Sequence, residues 1–231
     1  MDPEFLKKNH QKTLERIQRA CQAADRDGQA VALLAVSKTR NAQAVAALAA
    51  LGHRAFGENY VSEGVDKITA LADHSLIWHF IGPIQSNKTR QLAEHFDWVQ
   101  SVDRLKLVSR LNDQRPPSKP PLNVLIQVNL DGEDQKAGCA PDQLLALANA
   151  IEAAPQLRLR GVMSIPAVRE SANDQRAVFA KLKALYDELQ AHHPSIDTLS
   201  AGMSNDLEAA IAEGANLVRV GTALFGPRQN R

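Results

Sequence analysis

Cysteine and an excess of charge of one sign are both scarce in this sequence. Of 231 residues only two are cysteines, Cys21 and Cys139, and they form neither a CxxC pair nor a cluster with histidine. This pattern argues against a thiolate metal site and against a structural disulfide. The formal net charge is +1, so no global field recruits nucleic acid or an anionic membrane.

Long hydrophobic runs are also missing. No apolar stretch approaches the roughly 20 residues that span a bilayer, and residues 1–8 lack the apolar segment of a secretion signal. We therefore expect a cytoplasmic protein that does not enter a membrane. Asp2-Pro3-Glu4-Phe5 is what two common cloning sites encode in frame, so residues 1–5 are left out of fold reasoning as a remnant of cloning.

Short apolar runs alternate with amphipathic segments along the rest of the chain. Several runs are nearly continuous in Val, Leu and Ile, as in parallel strands covered on both faces. The predicted strands are residues 32–36, 53–57, 77–82, 98–101, 124–129, 159–164, 198–200 and 217–220. Helix-like segments between them include residues 42–51, 87–96, 104–113, 141–153, 174–191 and 206–213.

Eight strands joined by helices predict an α/β fold, a single (β/α)8 TIM barrel over residues 6–231. An open doubly wound sheet is the competing fold, because strand count alone does not show closure. An extra N-terminal helix, residues 11–24, precedes the first strand and could cover one end of the barrel. The proline-rich segment 114–121 is too short to divide domains.

Two strand ends near the C-terminus have the composition of a phosphate site. Gly202 follows the seventh predicted strand and Gly221 the eighth, and a hydroxyl side chain, Ser204 or Thr222, comes after each. Glycine lets a ligand approach the backbone, and N–H groups at a helix start attract anions. Barrels often build phosphate sites from these two loops. Turn glycines and helix caps explain either junction alone, whereas two neighbouring junctions favour a phosphate site.

Lys38 ends the first predicted strand. Barrel active sites gather at this end of the strands, and the first and eighth strands become neighbours when a barrel closes. Lys38 would then stand beside both glycine junctions, where a partly desolvated amine can form a Schiff base. A solvated lysine at a strand end is the alternative, and composition alone favours it.

Arg219 interrupts the apolar run Leu217–Val220. A buried guanidinium needs acceptors, since burying an unpaired charge is costly. Two interpretations are open: a contact with a ligand, or a structural salt bridge to Glu58 or Asp206.

The remaining candidates are weaker. Asn59 follows the second strand on the same face of the barrel, and His79 within the third strand is expected to be a core histidine rather than a base. Met163 and Ser164 end the sixth strand, where Met163 packs either on a flat ring or in the core. Lys136, in a polar loop after the fifth strand, could reach a ligand or be solvated.

Several motifs together resemble those of the pyridoxal 5′-phosphate (PLP) homeostasis protein family. The matching stretches are LAVSKT at 34–39, FGENY at 56–60, WHFIGPIQSNK at 78–88, QVN at 127–129, GVMSIP at 161–166, LSAGMSND at 199–206 and VRVGTALFG at 218–226. The third block and the last two are highly specific in combination. The resemblance covers most of the chain.

The resemblance implies a role for each candidate. Lys38 would hold PLP as a Schiff base, Arg219 would face the pyridine nitrogen, and Asn59 would lie near the ring. The phosphate would be held, much of it through backbone N–H groups, by Ser200, Gly202, Met203, Ser204, Gly221 and Thr222. The family fold is a single barrel similar to the N-terminal domain of alanine racemase, without the second, β-rich domain.

Two features argue against a strong catalyst. An arginine cannot accept the proton of a pyridinium, so Arg219 favours a weaker electron sink. The chain ends shortly after Gly226, so we expect it to lack a racemase's second domain and to be a monomer. We therefore expect a protein that stores, buffers or delivers intracellular PLP, affects amino-acid metabolism indirectly, and has apo PLP-dependent enzymes among its possible partners.

Two alternatives remain open. One is a small PLP-dependent amino-acid racemase, and the other is a barrel that binds a different phosphorylated metabolite without covalent chemistry.

Overall fold

Eight parallel strands close into a barrel in chain order, with β1 paired to β8. This computed structural model describes residues 2–132 and 137–227. The strands are β1 (Ala32–Val36), β2 (Ala55–Glu58), β3 (Ile77–Phe80), β4 (Trp98–Val102), β5 (Leu122–Gln127), β6 (Leu157–Met163), β7 (Thr198–Ser200) and β8 (Leu217–Val220). The predicted TIM barrel is confirmed, and closure of the sheet excludes the doubly wound fold.

The strand bounds agree with the sequence pattern at β1, β7 and β8 and differ elsewhere by a few residues. β3 ends at Phe80, and Gly82 then passes close to the residue that follows β2: a Cβ on Gly82 would lie 2.1 Å from the carbonyl oxygen of Asn59. β5 and β6 begin two residues earlier than predicted, since Leu122 and Leu157 pair with each other in the ladder.

Helices surround the barrel. They are α1 (Pro3–Ala23), α2 (Ala42–Ala50), α3 (Val61–Ala70), α4 (Thr89–His95), α5 (Leu105–Gln114), α6 (Leu144–Glu152), α7 (Ala172–His192), α8 (Leu207–Ala212) and α9 (Thr222–Phe225). No helix in the described part of the chain is both long enough and apolar enough to cross a membrane.

The N-terminal helix α1 lies in the outer ring, so the suggestion that it covers one end of the barrel is wrong. It packs against α2, α8 and α9, which are themselves helices of that ring. Its buried residues, Leu6, Thr13, Ile17, Ala20 and Cys21, recur at helical spacing. α1 begins at Pro3, so residues 3–5 are helical, and their origin as a remnant of cloning stays a prediction.

The barrel interior combines a large apolar core with a few buried polar side chains. The polar ones that matter below are His79, Gln100, Ser200 and Arg219, none more than 4% exposed. Cys21 and Cys139 are buried and free, as their spacing predicts. The four buried polar side chains lie toward the end of the barrel at which the candidate residues gather.

Candidate functional site

A cavity of about 560 Å³ opens at the C-terminal ends of the strands, within the roughly 300–1,000 Å³ of ligand pockets. Seven sequence-predicted residues line it: Lys38, Asn59, Met203, Ser204, Arg219, Gly221 and Thr222. Val36, Ile81 and Ile165 add apolar wall, and Arg169 adds a further cation. The structure thus brings most of the candidates to one place.

Lys38 stands beside the Gly221 junction because the barrel closes there. Ala35 pairs with Val220 across β1 and β8, so the chain beyond Val36 runs next to Gly221 and Thr222. The Lys38 side chain is half-buried, which removes part of its hydration without sealing it from solvent. The predicted neighbourhood of Lys38 and this junction is therefore confirmed.

Arg219 is buried and held by two uncharged acceptors. Nη1 donates to the Ser200 hydroxyl at 2.7 Å, and Nη2 donates to the Ser164 carbonyl at 2.8 Å. Burial lowers the pKa of Arg219 to about 10, while Asp206 acts in the opposite direction, so the side chain stays charged at neutral pH. Glu58 and Asp206 make no ion pair with it within the described ranges, so the salt-bridge interpretation is wrong.

A buried hydrogen-bond chain continues from Arg219 across the barrel. The Ser200 hydroxyl donates to Gln100 Oε1 at 2.7 Å, and Gln100 Nε2 donates to His79 Nδ1 at 2.9 Å. His79 also stacks on Trp98, and burial, followed by the charge of Arg160, lowers its pKa to about 3. His79 is therefore a neutral, satisfied core histidine, as expected, and the last member of a chain that orients Arg219.

The junction after β7 needs its glycine. Gly202 has φ +89°, and a Cβ there would lie 2.7 Å from that of Ala210, so both conformation and space exclude a side chain. The next N–H, that of Met203, donates to Asp206 Oδ1 at 2.6 Å. A phosphate bound through the Met203 amide would have to displace this carboxylate, so that contact stays a prediction.

Four predicted residues lie in or behind the cavity wall. Met163, Ser164, Ser200 and Gly202 are buried and absent from the lining. Ser164 donates to the Val128 carbonyl at 2.9 Å, and both hydrogen-bonding functions of the Ser200 hydroxyl are used by Arg219 and Gln100. Their contacts with a cofactor stay predictions; here the two serines hold Arg219.

Asn59 provides a direct test of fit for a polar ligand. Its Oδ1 is buried and has no hydrogen-bond partner in the described structure, although Asn59 lines the cavity. A buried acceptor without a donor costs free energy unless a ligand or water supplies one. The charged guanidinium, half-buried amine and hydroxyls of the same cavity suit a phosphorylated ligand with an aldehyde and a polar ring.

Sequence reasoning missed several residues around the site. Gln100 interrupts an apolar strand in the same way as Arg219 does, so the same signal was available. Arg169 lies in the loop after β6 and pairs with Asp131 at 2.6 Å, and no sequence signal links these two. Lys67 on α3 is buried, and the pattern of an amphipathic helix does not predict burial of a lysine. Lys136 lies outside the described residues.

The sequence matches the family described as alanine racemase, N-terminal domain, over residues 11–229. A pyridoxal phosphate homeostasis protein of Pseudomonas aeruginosa is 56% identical over 223 residues, covering 96% of each chain. The structure of PipY from Synechococcus elongatus with PLP bound has a TM-score of 0.80 and 38% identity, over 91% of this chain and 99% of that one.

A more distant likeness shows the fold alone. Alanine racemase of Clostridium difficile 630 has a TM-score of 0.71 at 14% identity, and the match covers 94% of this chain but 57% of the racemase. By both sequence and fold, the chain belongs to the pyridoxal phosphate homeostasis proteins, within the family of the alanine racemase N-terminal domain.

Proposed function

We propose that this protein binds PLP reversibly as a Schiff base on Lys38 and serves to buffer or deliver the cofactor. The observation that carries the proposal is the meeting of Lys38, Arg219 and the Gly221–Thr222 junction in one cavity. The names of the relatives and the PLP-bound state of PipY support the same ligand.

Each residue has a part in holding the cofactor. PLP supplies an aldehyde, which condenses with the unprotonated Lys38 amine to a C=N bond as the carbonyl oxygen leaves as water. Ser204 and Thr222 offer hydroxyls to the phosphate, and the first N–H groups of α9 have no acceptor within that helix. Asn59 presents its unpartnered Oδ1 to the ligand.

Arg219 is the residue that argues for storage over fast catalysis. Its guanidinium has donors and no acceptor, so it cannot take the proton of a pyridinium and leaves the ring a weaker electron sink. The hydrogen-bond chain through Ser200 and Gln100 fixes this charge in place. We therefore propose a PLP-binding protein without robust catalytic activity.

The first prediction concerns Lys38. Titration of the wild type with PLP should produce a visible Schiff-base absorption band, which Lys38→Ala abolishes because it removes the amine. Lys38→Ala should still bind pyridoxine 5′-phosphate, which has the phosphate and no aldehyde, with unchanged affinity. Lys183→Ala is the matched control, since Lys183 is, like Lys38, a half-buried lysine, and it lies on α7 paired with Asp187, away from the cavity.

Three outcomes separate the alternatives. A wild type without the band, protected by phosphorylated ligands equally well after Lys38→Ala, would mean a non-covalent phosphate binder. Sustained turnover of an amino-acid panel, lost in Lys38→Ala, would make the protein a racemase or another PLP enzyme. A stoichiometric band without turnover is the result expected here.

Delivery is the finer part of the proposal. Thr222, Ala223 and Tyr60 at or beside the cavity are exposed, so a bound ligand has a path to solvent. Transfer is measured by mixing loaded protein with an apo PLP-dependent enzyme and following its recovery of activity against free PLP. We further propose a monomer, which sedimentation with and without PLP checks.

A further inference from the structure

A buried ammonium group lies next to the strand end that carries Lys38. Lys67 on α3 is 4% exposed, and its Nζ donates to the Ser37 carbonyl at 2.7 Å, Glu58 Oε1 at 2.7 Å and Glu63 Oε1 at 2.6 Å. An ammonium has three protons, so all its donors are used. The group acts as one node joining β1, β2 and α3.

The node holds both residues that flank Lys38. Ser37 is bound through its carbonyl to Lys67 and through its hydroxyl to Glu58 Oε1 at 2.5 Å. On the other side, the N–H of Thr39 donates to Glu63 Oε1 at 2.6 Å. Glu63 therefore accepts from Thr39 and Lys67 through the same oxygen. The backbone is hydrogen-bonded at Ser37 and at Thr39, the two residues on either side of Lys38.

The backbone at Thr39 has a conformation that needs a stabilising interaction. Its φ is +64°, the left-handed region, where a β-branched residue is an outlier. Residues persist there when the surroundings over-determine them, and such positions cluster at functional sites. The hydrogen bond from Thr39 to Glu63 is an interaction that fixes this conformation directly after Lys38.

Stability alone does not explain the node. Burial raises the pKa of Glu58, although Lys67 acts to lower it. The surroundings of Glu58 therefore disfavour its charged carboxylate. Glu58 Oε2 is buried without a partner in the described structure. Buried ion pairs are often replaceable by apolar side chains at no loss of stability, so their retention requires another account, and a defined geometry is one.

We propose that Glu63 and Lys67 are positioning residues for Lys38. They hold residues 37–39 so that the amine is presented to the cavity beside the Gly221–Thr222 junction. The same node fixes Glu58, and with it the end of β2 that carries Asn59. This inference rests on the proposed function of Lys38, and neither Glu63 nor Lys67 lines the cavity.

The test compares two substitutions at Glu63. Glu63→Ala removes the acceptor of Thr39, whereas Glu63→Gln keeps an oxygen in its place. Glu63 lies in the first turn of α3 with its side chain 27% exposed, so both variants should fold. Asp187→Ala is the matched control, because it breaks another i,i+4 lysine pair with 2.6 Å contacts on α7.

Two readouts distinguish positioning from general damage. Glu63→Ala should form the Schiff-base band with PLP about tenfold more slowly or worse, since small misplacements of a reacting group are costly. Its affinity for pyridoxine 5′-phosphate should match the wild type, because the phosphate junctions are untouched and Glu58, which precedes Asn59, keeps its contacts with Lys67 and Ser37. Glu63→Gln should recover most of the rate, and Asp187→Ala should not change it.

Labelling of the free protein gives a reading that needs no cofactor. The rate at which an amine reagent modifies Lys38, mapped by mass spectrometry, should change severalfold in Glu63→Ala, with Lys183 as internal reference. Equal band formation and equal labelling in Glu63→Ala and wild type would overturn the proposal. So would a parallel loss of pyridoxine 5′-phosphate binding, which would indicate a damaged barrel.

These outcomes are separable from those of the proposed function. A wild type that forms no band refutes the role of Lys38 as a PLP tether. The labelling comparison still decides whether Glu63 positions that lysine.

Discussion

The buried guanidinium of Arg219 is bound by uncharged acceptors and lines the cavity, so its positive charge can act on a ligand there. Arg219 is 3% exposed, and its guanidinium donates to the Ser200 hydroxyl and the Ser164 carbonyl, neither of which carries charge. Asp206 raises the pKa of Arg219 through its charge, against the larger effect of burial. At the scale of single residues, the cavity wall is built to present a fixed cation to whatever binds there.

Ser200 is the residue on which this arrangement depends most. Ser200→Ala would leave both Arg219 Nη1 and Gln100 Oε1 without their partner in the barrel interior. Leaving buried donors and acceptors unsatisfied costs about 1–3 kcal/mol. We expect the free energy of unfolding in urea to fall by that amount.

Ser164→Ala is the matched comparison. Ser164 holds Arg219 through its carbonyl, which the substitution keeps, and its hydroxyl donates to the Val128 carbonyl. Its cost should be smaller than that of Ser200→Ala by about 1 kcal/mol. Equal costs would show that the chain through Gln100 contributes little to stability.

At the scale of elements, α1 connects the outer ring to the phosphate junctions. Arg16 Nη1 donates to the Ser204 carbonyl at 2.7 Å, and its other donors bind both oxygens of Glu208, whose pKa this hydrogen bond lowers. Asn9 Nδ2 donates to the Leu224 carbonyl at 3.1 Å. One helix thus touches the loop after β7 and the helix after β8.

Arg16→Met tests this connection. Because the pair is partly exposed, its loss should lower the free energy of unfolding by about 0.5–1 kcal/mol. Only the part that orders the Ser204 loop acts on the ligand, so pyridoxine 5′-phosphate binding should weaken by at most about fivefold. Arg19→Met is the control, since Arg19 is an exposed arginine of the same helix. Calorimetric titration of both variants measures the effect, and indistinguishable affinities would remove α1 from any role in ligand binding.

Elements were more predictable from the sequence than the contacts between them. Apolar periodicity located all eight strands, because every strand of a closed parallel barrel is covered on both faces. The sequence motifs also predicted Lys38 and Arg219 as residues of the site. Gln100 and Lys67 were missed because their partners lie on other strands and helices, and only tertiary packing decides whether a polar residue is buried with a partner.

At the scale of the whole molecule, two histidines with lowered pKa values couple the free energy of unfolding to pH. Burial lowers the pKa of His53 to about 4 and that of His79 to about 3, from an ordinary value of 6.5. Between these values and pH 6.5, the two histidines are protonated in the unfolded chain and remain neutral in the native state. The free energy of unfolding therefore falls as the pH drops below about 6.5. Glu58 opposes this trend, because its raised pKa lets the native state bind a proton more readily than the unfolded state does.

His53→Gln isolates one histidine from this balance. His53 lies before β2, away from the cavity lining, and its Nε2 contacts the Ala55 carbonyl at 2.8 Å, a contact that a glutamine amide can keep. Chemical unfolding between pH 4 and 8.5 should show a shallower acid decline in the variant, by up to about 1.4 kcal/mol per pH unit between 4 and 6.5. Above pH 7.5 the two slopes should coincide, because a histidine is neutral in both states there. Parallel curves over the whole acid range would mean that the native state protonates His53 as readily as the unfolded chain does.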